Sequence, residues 1–183
     1  MPELLTERLR LRQHTKEDAD EHLRIISDPQ FRRFFPPPPR FQPTRDGVLV
    51  GIGRFVEHWY QFGYGVWALE LREGERYAGY CGLRHLSPTD EVELLYGIDR
   101  DLWRAGLVTE AARASLRYGF EHMGFERVMA VTIPENAPSR RVMEKCGLRY
   151  EKDAVYFEVD CVYYAINRAD FRADEGAAYE LRP

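Results

Sequence analysis

Apolar and polar residues recur along this chain with two different periods, and these divide it into strands and helices. Residues 9–13 alternate as Leu-Arg-Leu-Arg-Gln and predict a first strand. Thr15 and Thr44 each precede an apolar stripe of helical spacing, so each is predicted to cap a helix. Three further strands are separated by short polar turns, which favour antiparallel pairing. They are Val66–Glu70, Tyr77–Leu86 and Glu91–Ile98.

The second half of the chain continues with a helix over about 109–123, where apolar residues recur at helical spacing. A strand over 128–133 follows, and the intervening helix predicts a right-handed parallel crossover. Asn136 is predicted to cap a short helix that ends at Gly147. Two more strands, one from residue 148 and one over 157–165, complete the order β-α-α-β-β-β-α-β-α-β-β.

Composition favours one globular domain. The chain has 183 residues, of which 44% are hydrophobic and 31% charged. We predict a single domain over 1–172 and a flexible tail over 173–183. The net charge of −4 gives no general attraction to nucleic acid or membrane. Three cysteines without metal spacing are interpreted as reduced thiols of a cytoplasmic protein, and no metal is expected.

The most informative segment is the loop between the fourth strand and the helix that follows it. Arg104, Ala105 and Gly106 form this loop, and the helix begins just after it. A helix start leaves backbone N–H groups unpaired and carries partial positive charge, which suits a phosphate. Gly106 permits close approach of the backbone, and Arg104 can add a charge-assisted contact. The loop therefore predicts an anion site.

Three motifs resemble those of the GNAT superfamily of N-acetyltransferases, in the branch of the ribosomal-protein N-terminal (alanine/serine) acetyltransferases. Residues 103–111 read Trp-Arg-Ala-Gly-Leu-Val-Thr-Glu-Ala, where that branch shows Trp-Gly-x-Gly-x-Ala-Thr-Glu-Ala. Residues 4–9, Leu-Leu-Thr-Glu-Arg-Leu, resemble its opening Leu-x-Thr-Glu-Arg-Leu. Residues 136–148 resemble its Asn-x-x-Ser-x-x-x-x-Glu-Lys-x-Gly-Phe motif. Two small positions of the loop motif are replaced, by Arg104 and Val108.

The resemblance implies an α/β (α+β) fold with a mixed sheet of about seven strands flanked by about four helices. The fourth and fifth strands are expected to splay apart, with the pantetheine of acetyl-CoA lying along the fourth like an extra strand. A backbone N–H of that strand would polarise the thioester carbonyl. The implied cofactor-binding residues are Tyr96, Gly97, Ile98, Arg104, Ala105, Gly106, Leu107, Val108, Thr109 and Asn136.

The resemblance also implies the catalytic groups of a direct transfer from acetyl-CoA to a primary amine. Glu93 occupies the place of the family's strand glutamate and is the expected base, with Glu91 as the rival. The usual tyrosine donor position holds Met143, which cannot protonate a thiolate. Ser139 matches the serine of the branch and is the expected donor. Tyr96 and Tyr150 are alternative donors.

Substrate contacts are expected at Phe34 and Phe35, with Pro36–Pro39 as a rigid wall beside the pocket; the alternative is a surface connector. Arg140 and Arg141 either reach the 3′-phosphate of the cofactor or are solvated charges.

The chemistry leaves several alternatives open. The acceptor is either a protein N-terminus or a small amine, and the last strand could form the edge of a homodimer. Cys81 with His85 would offer a covalent acyl-enzyme route. A non-catalytic acyl-CoA-binding regulatory module is the main alternative function. An unrelated nucleotide-binding domain is a third, although no Walker lysine is present.

Overall fold

The computed structural model describes residues 1–35, 42–86, 89–173 and 177–182. Its α-helices are α1 (Ala19–Ser27), α2 (Pro29–Arg32), α3 (Arg45–Phe62), α4 (Leu107–Glu121) and α5 (Ala137–Lys145). Its strands are β1 (Glu3–Leu5), β2 (Leu9–Arg12), β3 (Val66–Leu71), β4 (Tyr77–Leu86), β5 (Glu91–Ile98), β6 (Arg127–Thr132), β7 (Arg149–Tyr156), β8 (Val159–Asn167) and β9 (Glu180–Arg182).

All these strands belong to one nine-stranded sheet, in the order β7-β8-β6-β5-β4-β3-β2-β1-β9. β5 and β6 are parallel, as the crossover predicted, and the other neighbouring pairs are antiparallel. Along β4 the pairing with β5 is continuous from Gly79↔Ile98 to Leu86↔Glu91. Between β5 and β6 the described register is the single pair Glu93↔Met129. The two strands therefore diverge beyond Glu93, and the predicted fold class with its splayed sheet is confirmed.

Helices cover both faces of the sheet. The larger buried cluster joins α4 and α5 to the face that carries Trp67, Leu83 and Leu94. The smaller cluster joins α1 and α3 to the face that carries Val66 and Tyr80. Because side chains alternate along a strand, β5 presents Tyr96 to the α4–α5 face and its neighbours Leu95 and Gly97 to the α1–α3 face.

The helix starts follow the capping residues. The Thr44 hydroxyl accepts the Gly47 N–H at 3.1 Å, as expected for the predicted cap of α3. The Thr15 N–H donates to the Asp18 carboxylate at 2.8 Å, but a short 3₁₀ turn precedes α1 there. Pro29 follows the end of α1 as predicted, and it also opens the one-turn α2 because proline suits the first helical position.

One expectation about the edge of the sheet needs correction. The last long strand, β8, was expected to offer an edge, but it lies between β7 and β6. The edge position is taken by β7, because the turn at Phe157-Glu158 folds β7 back along the outside of β8. In the described part of the predicted tail 173–183, Glu180–Arg182 pair with β1 and Ala177 is buried. The short strands β1 and β9, of three residues each, raise the strand count from the predicted seven to nine.

Candidate active site

The loop before α4 is built around two left-handed residues. Gly106 is the N-cap of α4 at φ 80°, and Arg104 lies at φ 67°. For a residue with a Cβ this conformation costs about 1–2 kcal/mol. Arg104 stands where the resembled branch has glycine, which explains the family's preference at that position. The loop keeps its shape here in spite of the substitution.

The start of α4 exposes backbone donors. Within the described part of the chain no side chain caps this helix, and its first backbone bond joins Glu110 N–H to Gly106 O at 3.1 Å. The N–H groups of Leu107, Val108 and Thr109 are therefore open, as at any uncapped helix start. Arg104 is exposed beside them. The structure thus brings the predicted residues 104–109 together around one open helix start, a feature that suits an anion.

The chain that enters this loop from β5 is held by side chains. Trp103 donates its indole N–H to the Ile98 carbonyl at 3.1 Å. The buried Asp99 accepts the Asp101 N–H at 3.2 Å and forms an ion pair with Arg24 of α1 at 2.5 Å. Burial raises the pKa of Asp99, but the hydrogen bonds from Arg24 and the Asp101 N–H, together with the charges of Arg24 and Arg76, outweigh burial and lower the pKa overall. The carboxylate stays ionised and ties the loop to α1.

Gly97 lies against the ring of Tyr80, its cross-strand partner on β4. A Cβ at this position would lie 2.7 Å from the Tyr80 ring, so the ring occupies the space that a side chain would need. Tyr80 is buried, and burial raises its pKa to about 12. Residues 96–98, predicted to line the cofactor, lie on the part of β5 beyond its described pairing with β6, on the side of the widening gap. Strand addition by an extended ligand needs backbone of this kind.

Glu93 lies at the closed end of the gap, where β5 and β6 still pair. Its side chain is 4% exposed and forms an ion pair with Arg84 Nε at 2.5 Å. Burial raises the pKa of Glu93, and Arg84 offsets only part of that rise. A carboxylate of raised pKa is a stronger base than one in water, which suits general-base catalysis near neutral pH. Its role as the base stays a prediction.

The rival carboxylate, Glu91, is engaged elsewhere. It accepts hydrogen bonds from the hydroxyls of Tyr156 at 2.7 Å and Tyr163 at 2.9 Å. Burial raises the pKa of Glu91, but the hydrogen bonds from the two tyrosines and Thr89, with the charge of Lys152, together outweigh burial and lower the pKa overall. Glu91 therefore anchors the β7–β8 hairpin to β5, and its environment suits a base less well than that of Glu93.

Ser139, Tyr96 and Asn136 meet on the opposite face of the gap. The hydroxyls of Tyr96 and Ser139 are 2.8 Å apart, and the Tyr96 hydroxyl is 3.1 Å from the Ser139 carbonyl. The Ser139 N–H donates to Asn136 Oδ1 at 3.2 Å, so Asn136 caps α5 as predicted. Burial raises the pKa of Tyr96, which keeps its proton. Tyr150, the other alternative donor, is exposed and donates to Asp153 at 3.0 Å.

The remaining predicted residues fall outside this cluster. Phe35 stacks on the buried Phe31 with ring centroids 5.4 Å apart, and Arg33 lies 4.4 Å over the Phe34 ring. Their contact with substrate stays a prediction, and Pro36–Pro39 lie outside the described residues. Met143, at the usual tyrosine position, is 1% exposed within the larger core cluster.

A sequence profile of the acetyltransferase (GNAT) domain matches residues 8–149, which is more than half of the chain. The chain belongs to the GNAT acetyltransferase family.

Relatives and solved structures agree with this family. The chain is 32% identical to the uncharacterized protein YkkB of Bacillus subtilis over 159 residues, which cover 81% of this chain and 86% of that one. It is 27% identical to the uncharacterized N-acetyltransferase p20 of Bacillus licheniformis over 162 residues, covering 82% and 84%. Mycobacterium smegmatis RimJ in complex with CoA-disulfide superposes with a TM-score of 0.77 at 19% identity, covering 95% and 90%. As a GNAT enzyme, the chain is an acetyl-CoA-dependent N-acetyltransferase.

The covalent alternative does not fit this GNAT domain. Cys81 is fully buried on β4, and its sulfur lies 3.6 Å from the Ser115 hydroxyl. Burial raises the pKa of the Cys81 thiol to about 12. His85 lies 3.6 Å from Asp90 and stacks on Phe62. A thiol nucleophile needs a positioned base and a low pKa, and Cys81 has a raised one.

Neither a metal cluster nor a membrane-spanning helix is found in the described ranges. No group of His, Cys, Asp or Glu there is arranged to hold a metal ion. No helix there is long and apolar enough to cross a membrane. Cys81, Cys146 and Cys161 are all buried and form no disulfide among the described residues.

Two contacts of this GNAT site were not predicted from the sequence. Arg84, the partner of Glu93, lies directly opposite it in the β4–β5 register, and counting across that hairpin could have found it. Arg8 and Glu110, which join the N-terminal hairpin to α4, are 102 residues apart. Nothing local in the sequence indicates that pairing.

Proposed function

We propose that this enzyme transfers the acetyl group of acetyl-CoA directly to a primary amine in a ternary complex, and that the acceptor is a protein N-terminus or a small amine. One observation carries the proposal. The open amides at the start of α4 and the buried carboxylate of Glu93 lie at opposite ends of the widening gap between β5 and β6. Diphosphate recognition and acyl transfer would then occur along one channel.

The acceptor must attack as a neutral amine. A lysine amine, with a pKa of about 10.4, is roughly three units from neutral at pH 7, which costs on the order of 4.6 kcal/mol. An N-terminal amine, with a pKa of about 7.7–8.0, costs only about 1 kcal/mol. The α-amine therefore needs far less help from a single carboxylate, and this supports an N-terminal acceptor.

The proposed step uses Glu93 on one side of the thioester and Ser139 on the other. The amine nitrogen attacks the thioester carbonyl carbon, and Glu93 takes the proton that the nitrogen loses, directly or through one water. The carbon–sulfur bond then breaks, and the electron pair leaves on the thiolate. Because Ser139 and Tyr96 share a hydrogen bond of 2.8 Å, Ser139 can donate to the sulfur while Tyr96 supports it. A free thiol has a pKa of about 8.5, so the donor has little work to do.

A panel of acceptors tests the proposal by thiol release from acetyl-CoA. It contains short peptides with free Ala or Ser N-termini, the same peptides Nα-acetylated with one internal lysine, and small primary amines. We expect peptides or small amines of low pKa to react faster than lysine. Tight CoA binding without thiol release on any amine would contradict the enzyme proposal and favour the non-catalytic acyl-CoA-binding module.

A further inference from the structure

Two motifs of the sequence analysis have no role in the chemistry above, and the structure joins them. The Thr6-Glu7-Arg8 turn between β1 and β2 docks on the first turn of α4 at Glu110. The Thr6 hydroxyl at 2.6 Å and the Arg8 N–H at 2.9 Å both donate to Oε1 of Glu110. Arg8 Nε at 2.7 Å and Nη2 at 2.6 Å reach Oε2. Glu110 is therefore saturated with donors and is not available for catalysis.

Arg8 also reaches the loop itself. Its Nη1 donates to the Ala105 carbonyl at 2.8 Å. Ala105 is the residue between the two left-handed positions Arg104 and Gly106. A bidentate hold on Glu110 fixes the plane of the guanidinium, so the third contact fixes the position of the Ala105 oxygen.

That carbonyl controls the first amide of the anion site. The Ala105 C=O and the Gly106 N–H belong to one planar trans peptide and point in opposite directions. Holding the oxygen toward Arg8 therefore turns the Gly106 N–H away from Arg8. The next N–H groups, of Leu107 and Val108, continue in the open first turn of α4.

From this geometry we infer that Arg8 is a positioning residue for the diphosphate of acetyl-CoA, acting through the Ala105–Gly106 peptide. The inference rests on the proposed use of acetyl-CoA at this loop. It makes the N-terminal hairpin a part of the cofactor site, and it assigns a common purpose to the Thr-Glu-Arg and Thr-Glu-Ala motifs. Arg8 acts by orientation, because Glu110 balances its charge.

Arg8→Lys tests the inference, because a lysine cannot hold Glu110 and the Ala105 carbonyl at once. The affinities for CoA and for pantetheine, which lacks the diphosphate, are measured by calorimetry or ligand-observed NMR. We expect Arg8→Lys to weaken CoA binding about tenfold or more, in line with loss of a hydrogen bond from a charged donor. Pantetheine affinity should not change. A purely structural role would weaken both ligands by the same factor, and that result, or unchanged CoA affinity, would overturn the inference.

Arg10→Lys is the matched control. Arg10 lies on the neighbouring strand with similar exposure, 42% against 46% for Arg8, and pairs with Glu3 at 2.8 Å and Glu70 at 3.3 Å. The Arg10→Lys substitution should leave the affinities for CoA and for pantetheine unchanged. If Arg8→Lys does not fold, Glu110→Gln loosens the same hold and should weaken CoA binding selectively; equal CoA affinity would again overturn the inference. Wild-type protein that binds CoA but acetylates no amine contradicts the proposed reaction alone, because this comparison needs no turnover.

Discussion

The two ends of the gap between β5 and β6 are built from different groups. At the α4 end, the groups available to a ligand are the open backbone N–H groups of the first turn. At the Glu93 end, the proposed base is one carboxylate that is 4% exposed and paired with Arg84. Backbone recognition tolerates side-chain change as long as the loop keeps its shape, which is why Arg104 and Val108 can replace small residues. The pKa of a buried carboxylate, in contrast, depends on every charged or hydrogen-bonding side chain around it.

The largest expected effect is at the Glu93 end. Glu93→Gln keeps the size of the side chain but removes the base, so we expect kcat to fall by about 10²-fold or more. CoA affinity should stay at the wild-type value, because the helix end is untouched. Steady-state kinetics measures the fall in kcat, and calorimetry measures the CoA affinity. Near-normal turnover in this variant would remove Glu93 from the role of base.

A smaller effect is expected at the α4 end. Gly106→Ala places a Cβ at φ 80°, which costs about 1–2 kcal/mol, so we expect up to roughly tenfold weaker CoA binding with little change in kcat. The added Cβ meets only Arg8 Nη2 at 3.6 Å, so backbone strain is the main cause.

Gly74→Ala provides the control for Gly106→Ala. Gly74 lies at φ 76° with no atom within 4 Å of an added Cβ, in a turn between β3 and β4. The Gly74→Ala variant should lose about as much stability in chemical unfolding as Gly106→Ala, but it should keep the wild-type affinity for CoA. Equal loss of CoA affinity in both variants would mean that the loop conformation does not matter to the site.

Arg84→Met probes how the carboxylate depends on its partner. Arg84 lowers the pKa of Glu93 against the effect of burial, so its removal should raise that pKa further. The acidic limb of kcat/KM against pH should move to higher pH. The stability of the fold should change with pH in the opposite direction to kcat/KM. Because the pKa of Glu93 is higher in the folded than in the unfolded protein, the free energy of unfolding falls as pH rises from the unfolded pKa to the folded pKa. An acidic limb that does not move would show that another group sets it.

The smallest effect is expected from Arg104→Gly, which restores the family glycine at φ 67°. Relief of the left-handed conformation should stabilise the fold by up to about 1 kcal/mol in chemical unfolding. Loss of the guanidinium should weaken CoA binding a few-fold if Arg104 contacts the diphosphate, and the weakening should fade at high salt. A variant that gains stability and keeps CoA affinity would restrict recognition to the backbone.

The local sequence was sufficient for most of the elements. Periodicity predicted the long strands and helices, Thr44 and Asn136 were found as caps, and the parallel crossover followed from one helix between two strands. The local sequence was less informative for very short segments, which contain too few residues to show a period. β1 and β9 have three residues each and exist because they pair with neighbours.

The candidate site divides in the same way. The sequence by itself determined the loop with its open amides, because a glycine before a helix start is a local feature that backbone geometry converts into unpaired N–H groups. Only the tertiary structure decided that Glu93 is buried against Arg84, that Glu91 is held by two tyrosines, and that Arg8 grips Ala105 and Glu110. A pKa or a carbonyl orientation depends on the groups that folding brings within a few ångströms, and these groups lie up to a hundred residues away.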